Sequence, residues 1–393
     1  MDATAAGWRT LPYRRLELYE PEGDLLTLQL GPQHPSTHGV LRLKLHLDGE
    51  RIVKAVPFPG YLHRGVEKLC EELTYVQIPA IVDKNDYVAP MFNEQAVVLA
   101  FEQLLKTEVP RRARWLRSAL AELQRIASHL LWLGTMSLDL GGALGGGSTT
   151  FIYCMREREL VLDLFEELTG SRFHYNTHTI GGNRHDVPEG FDRHVHEALD
   201  VIAARIPEYE VLTVGNRLFV ERTRGVGVLS AELALELGIT GPNLRASGVD
   251  HDLRRDAPFH AYDEVPTNVA VAQEGDCLAR TKVRIAELEE SVRLARAFID
   301  GLPEGPLVAG RPTKLPGQFK VASGQAYAAL ESPRGELGTF VVAGGGPSPY
   351  RLKIRAPSYH AIAALPYLLP GNTVSDTVAI LGSLDPIMGE VDR

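Results

Sequence analysis

"LTLQLGPQHPSTHGVLRLKLHLDGERIVKAVPFPG", Leu26 to Gly60, sets how the fold begins. Leu41, Leu43, Leu45 and Leu47 alternate with Arg42, Lys44 and His46, the two-residue period of a strand with one apolar and one polar face. Asp48-Gly49 then makes a hairpin turn before a second strand, "ERIVKAVPF". Residues 24–58 therefore read as antiparallel β. The turn "GPQHPSTHG" inside this segment raises a chemical question, because it carries His34 and His38 beside Ser36 and Thr37. Strand turns recruit Gly, Pro, Asn and Asp for backbone reasons alone. One reading is a metal pair, but ligands four apart share a face only in a helix, and Pro35 and Gly39 oppose a helix. The other is a plain turn with solvated histidines.

Outward from this stretch the period changes. From about residue 64 it is helical, with Val97, Val98, Phe101, Leu104 and Leu105 on one face. Pro110 suits a first helical turn, and neither Pro nor Gly interrupts Arg111 to Leu133. Leu116, Leu120, Leu123, Ala127 and Leu130 form a stripe there, and Gly134 is expected to end the helix. Residues 151–168 and about 270–299 read as further helices, the second stopped by Gly301. The tail is rich in Gly and Pro, with strand-like pieces "GTFVVAGG" and "YRLKIRAP". The expected class is α+β: an antiparallel β segment (1–63), a helical core (64–300) and a mixed α/β tail (301–393), cooperating as one domain.

Composition narrows the function. The chain has 393 residues, 44% hydrophobic and 23% charged, an ordinary globular balance with material for a large core. A net charge of −9 argues against a nucleic-acid partner, which needs a basic face. Cys70, Cys154 and Cys277 are far apart and form no Cys-x-x-Cys, so neither a disulfide framework nor a self-contained iron–sulfur site is expected. The first residues lack the apolar stretch of a signal peptide. No run of about 18 apolar residues is present, so membrane association is expected through partners.

Generic motifs fail. In "GGALGGGST" Gly141 and Gly146 have the separation of a phosphate loop, but Gly147 stands where the phosphate-binding Lys belongs. Neither Gly-x-Ser-x-Gly nor His-Glu-x-x-His occurs. "MREREL" reads as a charged helix face.

An ordered set of stretches does carry a specific likeness: "GPQHPSTHGVLRL", "GYLHRGVEKL", "MFNEQAVVLAFEQLL", "VPRRARWLRSALAELQRIASHLLWLG", "FIYCMRERELVLDLFEELTGSRFH", "GPNLRASG", "EGDCLARTKVRIAE", "ESPRGELG" and "SLDPIMGEVDR". Together they resemble the D-type (49-kDa) subunit family of the proton-pumping NADH:quinone oxidoreductase, respiratory complex I, across nearly the whole chain. That family is similar in turn to the large subunit of nickel–iron hydrogenases. Those enzymes hold nickel with four cysteines, two after an Arg-Gly-x-Glu motif and two in Asp-Pro-Cys-x-x-Cys. Arg64, Gly65 and Glu67 are kept here, as are Asp385 and Pro386, but Ile387 and Glu390 stand at the C-terminal cysteine positions. Between Glu67 and Tyr87 the sole cysteine is Cys70, with no Cys-x-x-Cys. Nickel held by four thiolates is excluded without thiolates. The resemblance thus implies a hydrogenase-like core whose ancestral cavity, bounded by Arg64, Glu67, Asp385 and Glu390, holds no metal.

The resemblance also implies roles. A quinone takes up two electrons and two protons, and its two oxygens lie at opposite ends of the ring, so it needs two facing donors across an apolar slot. His38 and Tyr87 are the implied pair, with Asp139 the carboxylate that pairs with the histidine and raises its affinity for a proton. Asp139 as a cap near Gly141 is the plainer alternative. His34, Ser36 and Thr37 belong to the same loop, where local backbone bonds suit a shape-holding role. Electrons are expected from a 4Fe–4S cluster in a neighbouring subunit related to the hydrogenase small subunit, with His174 and Lys84 facing it. An imidazole bonded to a cluster raises its potential. Further implied partners are the other peripheral-arm subunits and a membrane-arm subunit at the quinone channel. The implied place is the cytoplasmic side of the inner membrane, peripherally bound.

Two departures touch the cluster side. Lys84-Asn85 precede Asp86-Tyr87 where the family has Arg-Leu, and Thr179-Ile180 stand where it has Arg-Pro. Lys keeps the charge but loses the planar fork of Arg. The rival expectations are a structural or assembly subunit with a vestigial pocket, and the same role in a ferredoxin-linked relative. The quinone type is not legible.

Overall fold

The computed structural model describes residues 25–34, 39–141, 147–309 and 319–393. Strands β1 (Leu26–Leu30), β2 (Arg42–Asp48) and β3 (Arg51–Phe58) form an antiparallel sheet in that order. Leu45 lies opposite Leu28 on one side and Ala55 on the other, and the alternate leucines of β2 are buried as their period requires. Gly49 takes a φ of 60°, which the tight hairpin demands. The other face is polar but not wholly exposed. His46 is buried, 3.3 Å from Thr27 Oγ1, at the point where the β2–β3 register shifts.

The histidine turn lies between β1 and β2. Its tip, Pro35 to His38, is outside the described residues, but its base is fixed. His34 and Gly39 form an antiparallel bridge. A Cβ at Gly31, whose φ is 82°, would meet the Leu41 carbonyl at 2.1 Å, so only glycine fits. A Cβ at Gly39 would come within 3.2 Å of Met388 Cγ, near the end of the chain.

The middle is helical: α1 (Val66–Glu72), α2 (Pro90–Leu105), α3 (Arg111–Gly141), α4 (Gly147–Thr169), α5 (Phe191–Leu212) and α6 (Cys277–Asp300). The expected stripe of α3 is buried throughout. Gly134 does not end α3, which runs on to Gly141. A glycine stops a helix when it turns left-handed; Gly134 instead marks a close approach, since a Cβ there would sit 3.2 Å from Phe151 and 3.3 Å from Cys154 of α4. α6 begins later than its apolar spacing suggests, because Asp276 caps it by accepting from Ala279 N at 2.7 Å. α2 is buried almost all round, not on one face, because it lies between α3 and the second sheet.

A short ladder, β4 (His178–Thr179) with β5 (Gly182–Asn183), precedes α5. The second sheet has β6 (Gly324–Ser332), β7 (Gly335–Ala343) and β8 (Pro349–Arg355), all antiparallel, and the chain closes with α7 (Asp376–Leu384) and α8 (Met388–Asp392). One apolar core joins the helices to this sheet. A second joins Leu41, Leu43 and Leu45 to Ile380, Leu384 and Met388, so the chain's two ends share a core. The Asp392 carboxylate fastens them further, accepting from Gly60 N and Leu62 N at 2.7 Å each. Among the described residues, no helix is long and apolar enough to cross a membrane.

The α3–α4 contact gives a test of the reassigned glycine. Gly134→Val places two methyl groups where one already crowds Phe151 and Cys154, so urea unfolding of the purified chain should show a loss of about 1–3 kcal/mol. An unchanged midpoint would mean that the α3–α4 contact at Gly134 is not tight.

Candidate functional site

The segment between residues 82 and 90 turns tightly, and Asp86 holds that turn. Its Oδ1 accepts from Val88 N at 3.0 Å and Ala89 N at 3.1 Å, leading the chain into α2. Its Oδ2 accepts from Arg334 Nη1 at 2.8 Å. Arg334 sits in the β6–β7 hairpin turn, where Ser332 Oγ accepts from Arg334 N at 3.3 Å and donates to Gly335 O at 2.9 Å. Gly335 has a φ of 128°, and a Cβ there would strike Thr240 Oγ1 at 2.6 Å. The turn therefore aims a fully buried guanidinium inward. Its second partner is Asp385, at 3.4 Å, which ends α7 in the left-handed region with a φ of 54°. A non-glycine residue held there stores strain that the surroundings must offset.

These groups meet at a cleft of about 840 Å³, partly open to solvent. Its polar lining is Tyr87, Thr135, Asp139, Arg334 and Asp385; Leu131, Trp132, Leu138 and Ile387 supply most of the apolar wall. An apolar cleft with a few convergent polar groups is the usual form of a small-molecule site. Among the described residues no hydrogen bond reaches the Tyr87 hydroxyl. Burial pushes that phenol above its ordinary value; the charges of Asp86 and Asp385 add to the rise and Arg334 opposes it. Asp139 lies in the last turn of α3, inside the helix, so it is no N-cap.

Of the other residues singled out in the sequence, His34 forms the loop base, while Ser36, Thr37 and His38 lie outside the described residues. Glu390 is fully buried beneath the cleft. Ser358 donates to its Oε2 through both N–H (3.1 Å) and hydroxyl, and its Oε1 has no partner among the described residues. Burial, with the nearby charge of Asp86, pushes this carboxyl up to about 7. Arg64 donates to Asn85 Oδ1 at 3.1 Å. Glu67 is not gathered with these groups: Lys353 at 2.8 Å, Arg351 at 3.1 Å and Ile354 N at 3.1 Å hold its carboxylate against β8.

Lys84 and His174 do come together, around a residue the sequence pattern does not mark. Asp83 Oδ1 is 2.8 Å from Lys84 Nζ, and its Oδ2 is 3.5 Å from His174 Nδ1. Burial lowers the His174 imidazole, and the cations Lys84 and Arg64 add to this while Asp83 opposes it. The loop carrying His174 is tied to α2 by two buried carboxylates. Glu94 accepts from Asn176 N at 2.8 Å and His178 N at 3.0 Å, and Glu102 accepts from Gly181 N at 2.7 Å. The Thr179-Ile180 departure falls in this loop, where Arg117 Nη2 donates to Thr179 O at 2.9 Å.

Among the described residues, no group of three or more His, Cys, Asp or Glu is arranged to hold a metal ion. All three cysteines are buried and free, and burial pushes the Cys70 thiol up to about 12. Asp86, Arg334 and Ser358 are the functional residues that pattern reading missed. The available signal was an arginine in a Ser/Gly hairpin turn between two apolar strands, a costly charge to place there without a partner.

A helical core flanked by two antiparallel sheets carries one largely apolar cleft with a few convergent polar groups, and relatives that match this chain over most of its length are subunits of oxidoreductases. The chain belongs to the family of the respiratory-chain NADH dehydrogenase 49-kDa subunit, whose family model matches residues 145–393. It is 46% identical to a D-type subunit of the NADH-quinone oxidoreductase of Rhizobium etli, over 96% of this chain and 99% of that one. It is 47% identical to the D-type subunit of the NADH-quinone oxidoreductase of Clostridium beijerinckii, over 94% and 97%. Among solved structures it resembles a chain of the membrane-bound sulfane sulfur reductase, an archaeal respiratory membrane complex, with a TM-score of 0.90, 36% identity and coverage of 95% and 100%. The expected α+β architecture and family therefore hold.

Glu390 makes stability depend on pH in a definite sense. Its folded value near 7 lies above the ordinary 4.5, so the fold favours the protonated carboxyl. That contribution is fully present below about pH 4.5 and is lost as pH rises through 7. Glu390→Gln should match the native chain in urea unfolding at pH 5 and exceed it at pH 8.5; equal midpoints at both would mean the carboxyl is not held neutral.

Proposed function

We propose that the chain is the quinone-reducing subunit of an NADH:quinone oxidoreductase, with the cleft as the head-group site. The observation that carries this reading is the placing of Tyr87 and Asp139 on the walls of one largely apolar cleft. The relatives' names, as subunits of NADH-quinone oxidoreductases, support it. So does the base of the histidine turn. Gly39, which follows His38 in the sequence, lies close to Met388, the neighbour of cleft-lining Ile387.

In this mechanism quinone takes two electrons from an iron–sulfur cluster in a neighbouring subunit and two protons from this chain. Tyr87 holds its proton at Oη while the substrate is oxidised, because burial and Asp86 disfavour the phenolate. Once the head-group oxygen becomes strongly basic, the proton transfers, and the Arg334 charge eases formation of the phenolate. His38 supplies the second proton from the facing side, oriented by Asp139. A carboxylate in the last turn of α3 opposes the helix dipole, which gives it a standing preference for a cationic partner such as imidazolium. Loss of the His38 proton and rearrangement of its pairing with Asp139 start the charge shift that drives proton translocation elsewhere in the complex. The face around Asp83, Lys84 and His174 receives the cluster-bearing subunit, and the chain sits peripherally on the cytoplasmic side of the membrane.

The likeness to the sulfane sulfur reductase chain favours one second reading: the same scaffold serving a complex with another donor or acceptor. Variants of the purified complex separate these. Tyr87→Phe should lower quinone reduction by roughly a hundredfold, and Asp139→Asn by about tenfold with fewer protons moved per electron, while electron delivery to an artificial acceptor upstream stays normal. Wild-type quinone rates in both would remove the cleft from the reaction and leave a structural subunit.

A further inference from the structure

Arg280 and Arg284 occupy successive turns of α6, and both guanidinium groups are fully buried. Like charges so spaced disfavour a helix, and burying a cation without a counter-ion is costly. Yet each ends on neutral acceptors. Arg280 donates to Gly275 O at 2.7 Å, Gly227 O at 2.9 Å and Ser383 Oγ at 3.0 Å. Arg284 donates to Ser383 O at 3.0 Å and to Arg280 O and Asn243 Oδ1 at 3.2 Å each. Its Nε has no partner among the described residues. The nearest carboxylates are engaged elsewhere: Glu287 by Arg245 at 2.7 Å and His129 at 2.9 Å, and Asp385 by Arg334 at 3.4 Å. Burial pushes Arg284 down to about 10, against the pull of Asp385 and Glu287, so the group stays charged at neutral pH.

The cation is not remote from the cleft. The Arg284 guanidinium carbon lies 4.5 Å from the ring centroid of Trp132, which lines the cleft. The Ser383 carbonyl it holds is two residues from Asp385, which lines the same cleft. Trp132 Nε1 donates to Gly382 O at 2.8 Å, so ring and segment are one unit.

We propose that Arg284 is a positioning residue for the cleft, acting through Trp132 and residues 383–385, whose charge, held in no salt bridge among the described residues, stabilises the anionic head group formed between the arrival of an electron and that of a proton. The inference rests on the quinone reading above. Quinone gains one electron from the neighbouring subunit's iron–sulfur cluster and carries one negative charge. A second electron from the same donor, with one proton from Tyr87 and one from His38, completes the quinol. A fixed cation behind an aromatic wall lowers the energy of the charged stage without binding the neutral substrate more tightly.

The test uses the assembled complex and a soluble quinone analogue. Arg284→Gln should lower kcat about tenfold or more while KM stays within about threefold, and Arg284→Lys should keep kcat within about threefold of wild type. Rate would then follow charge, although Gln retains a donor for Ser383 O and Lys loses the planar stack. Equal losses in Gln and Lys complexes, or wild-type kcat in the Gln complex, overturn the proposal. If the Gln chain does not assemble, the Lys complex decides alone: a large loss of kcat there overturns it, and a retained rate supports it. Tyr87→Phe run alongside separates the two claims, since an unimpaired Tyr87→Phe complex overturns the quinone reading itself, whereas an impaired one beside a normal Arg284→Gln complex overturns only the role of Arg284.

Discussion

The pairing of Arg334 with Asp86 and Asp385 is the constraint on which the cleft depends. It joins three segments far apart in the sequence: the turn before α2, the β6–β7 hairpin and the end of α7. Each contributes a cleft-lining group next to its charged residue, Tyr87 beside Asp86, Arg334 itself, and Pro386 beside Asp385. A buried ion pair adds little net stability over a well-packed apolar substitute, but removing one partner costs about 3–5 kcal/mol because the other is left uncompensated. The triad is therefore better understood as fixing register than as glue. It holds Asp385 in a strained left-handed conformation and delivers the chain to Ile387 at the cleft wall.

Beneath the triad lies a buried carboxyl, Glu390. The hydrogenase pattern read in the sequence has cysteines where this chain has Ile387 and Glu390. Ile387 adds apolar wall to the cleft, and Glu390 becomes a buried carboxyl held by Ser358 and kept neutral by burial and by Asp86. Gly389 permits a close approach to the turn before α2, because a Cβ there would meet Asn85 O at 2.6 Å. The closing helix can thus lie directly on the turn that carries Tyr87. Two unrelated constraints, a glycine contact and an ion triad, place the same two segments side by side.

Much of the fold was legible because it rests on local period. The β2 leucines, the Asp48-Gly49 hairpin, the α3 stripe and the strands β7 and β8 follow from side-chain alternation that any half-buried element must show. What failed was punctuation. Gly134 looks like a helix stop, but its meaning depends on Phe151 and Cys154, which lie on another helix. The all-round burial of α2, with Glu94 and Glu102 turned inward onto the 174–183 loop, could not be read from its apolar stripe. The candidate site divides in the same way. Tyr87 and Asp139 came from resemblance and share a cleft, whereas Glu67, drawn from the same motif as Arg64, binds cations on β8. Asp83, Asp86 and Arg334 needed coordinates, since nothing local distinguishes a paired buried charge from a solvated one.

The electrostatic layout around the cleft has a direction. On the α3 end stands Asp139, a carboxylate placed against the helix dipole; on the α6 side stand Arg280 and Arg284, cations held by neutral acceptors and in no salt bridge among the described residues. Tyr87 and Arg334 lie on walls of the same cleft, with Glu390 pushed toward its protonated form by burial and by Asp86. A neutral quinone gains little from such a field. On the proposed function, an anion formed by electron arrival would be drawn toward the arginine side, and the positive charge on an imidazolium toward Asp139. Reduction would then pull a proton donor and a negative head group in opposite senses across one apolar slot. That asymmetry is what a site needs if an electron arriving from one side is to move charge toward another.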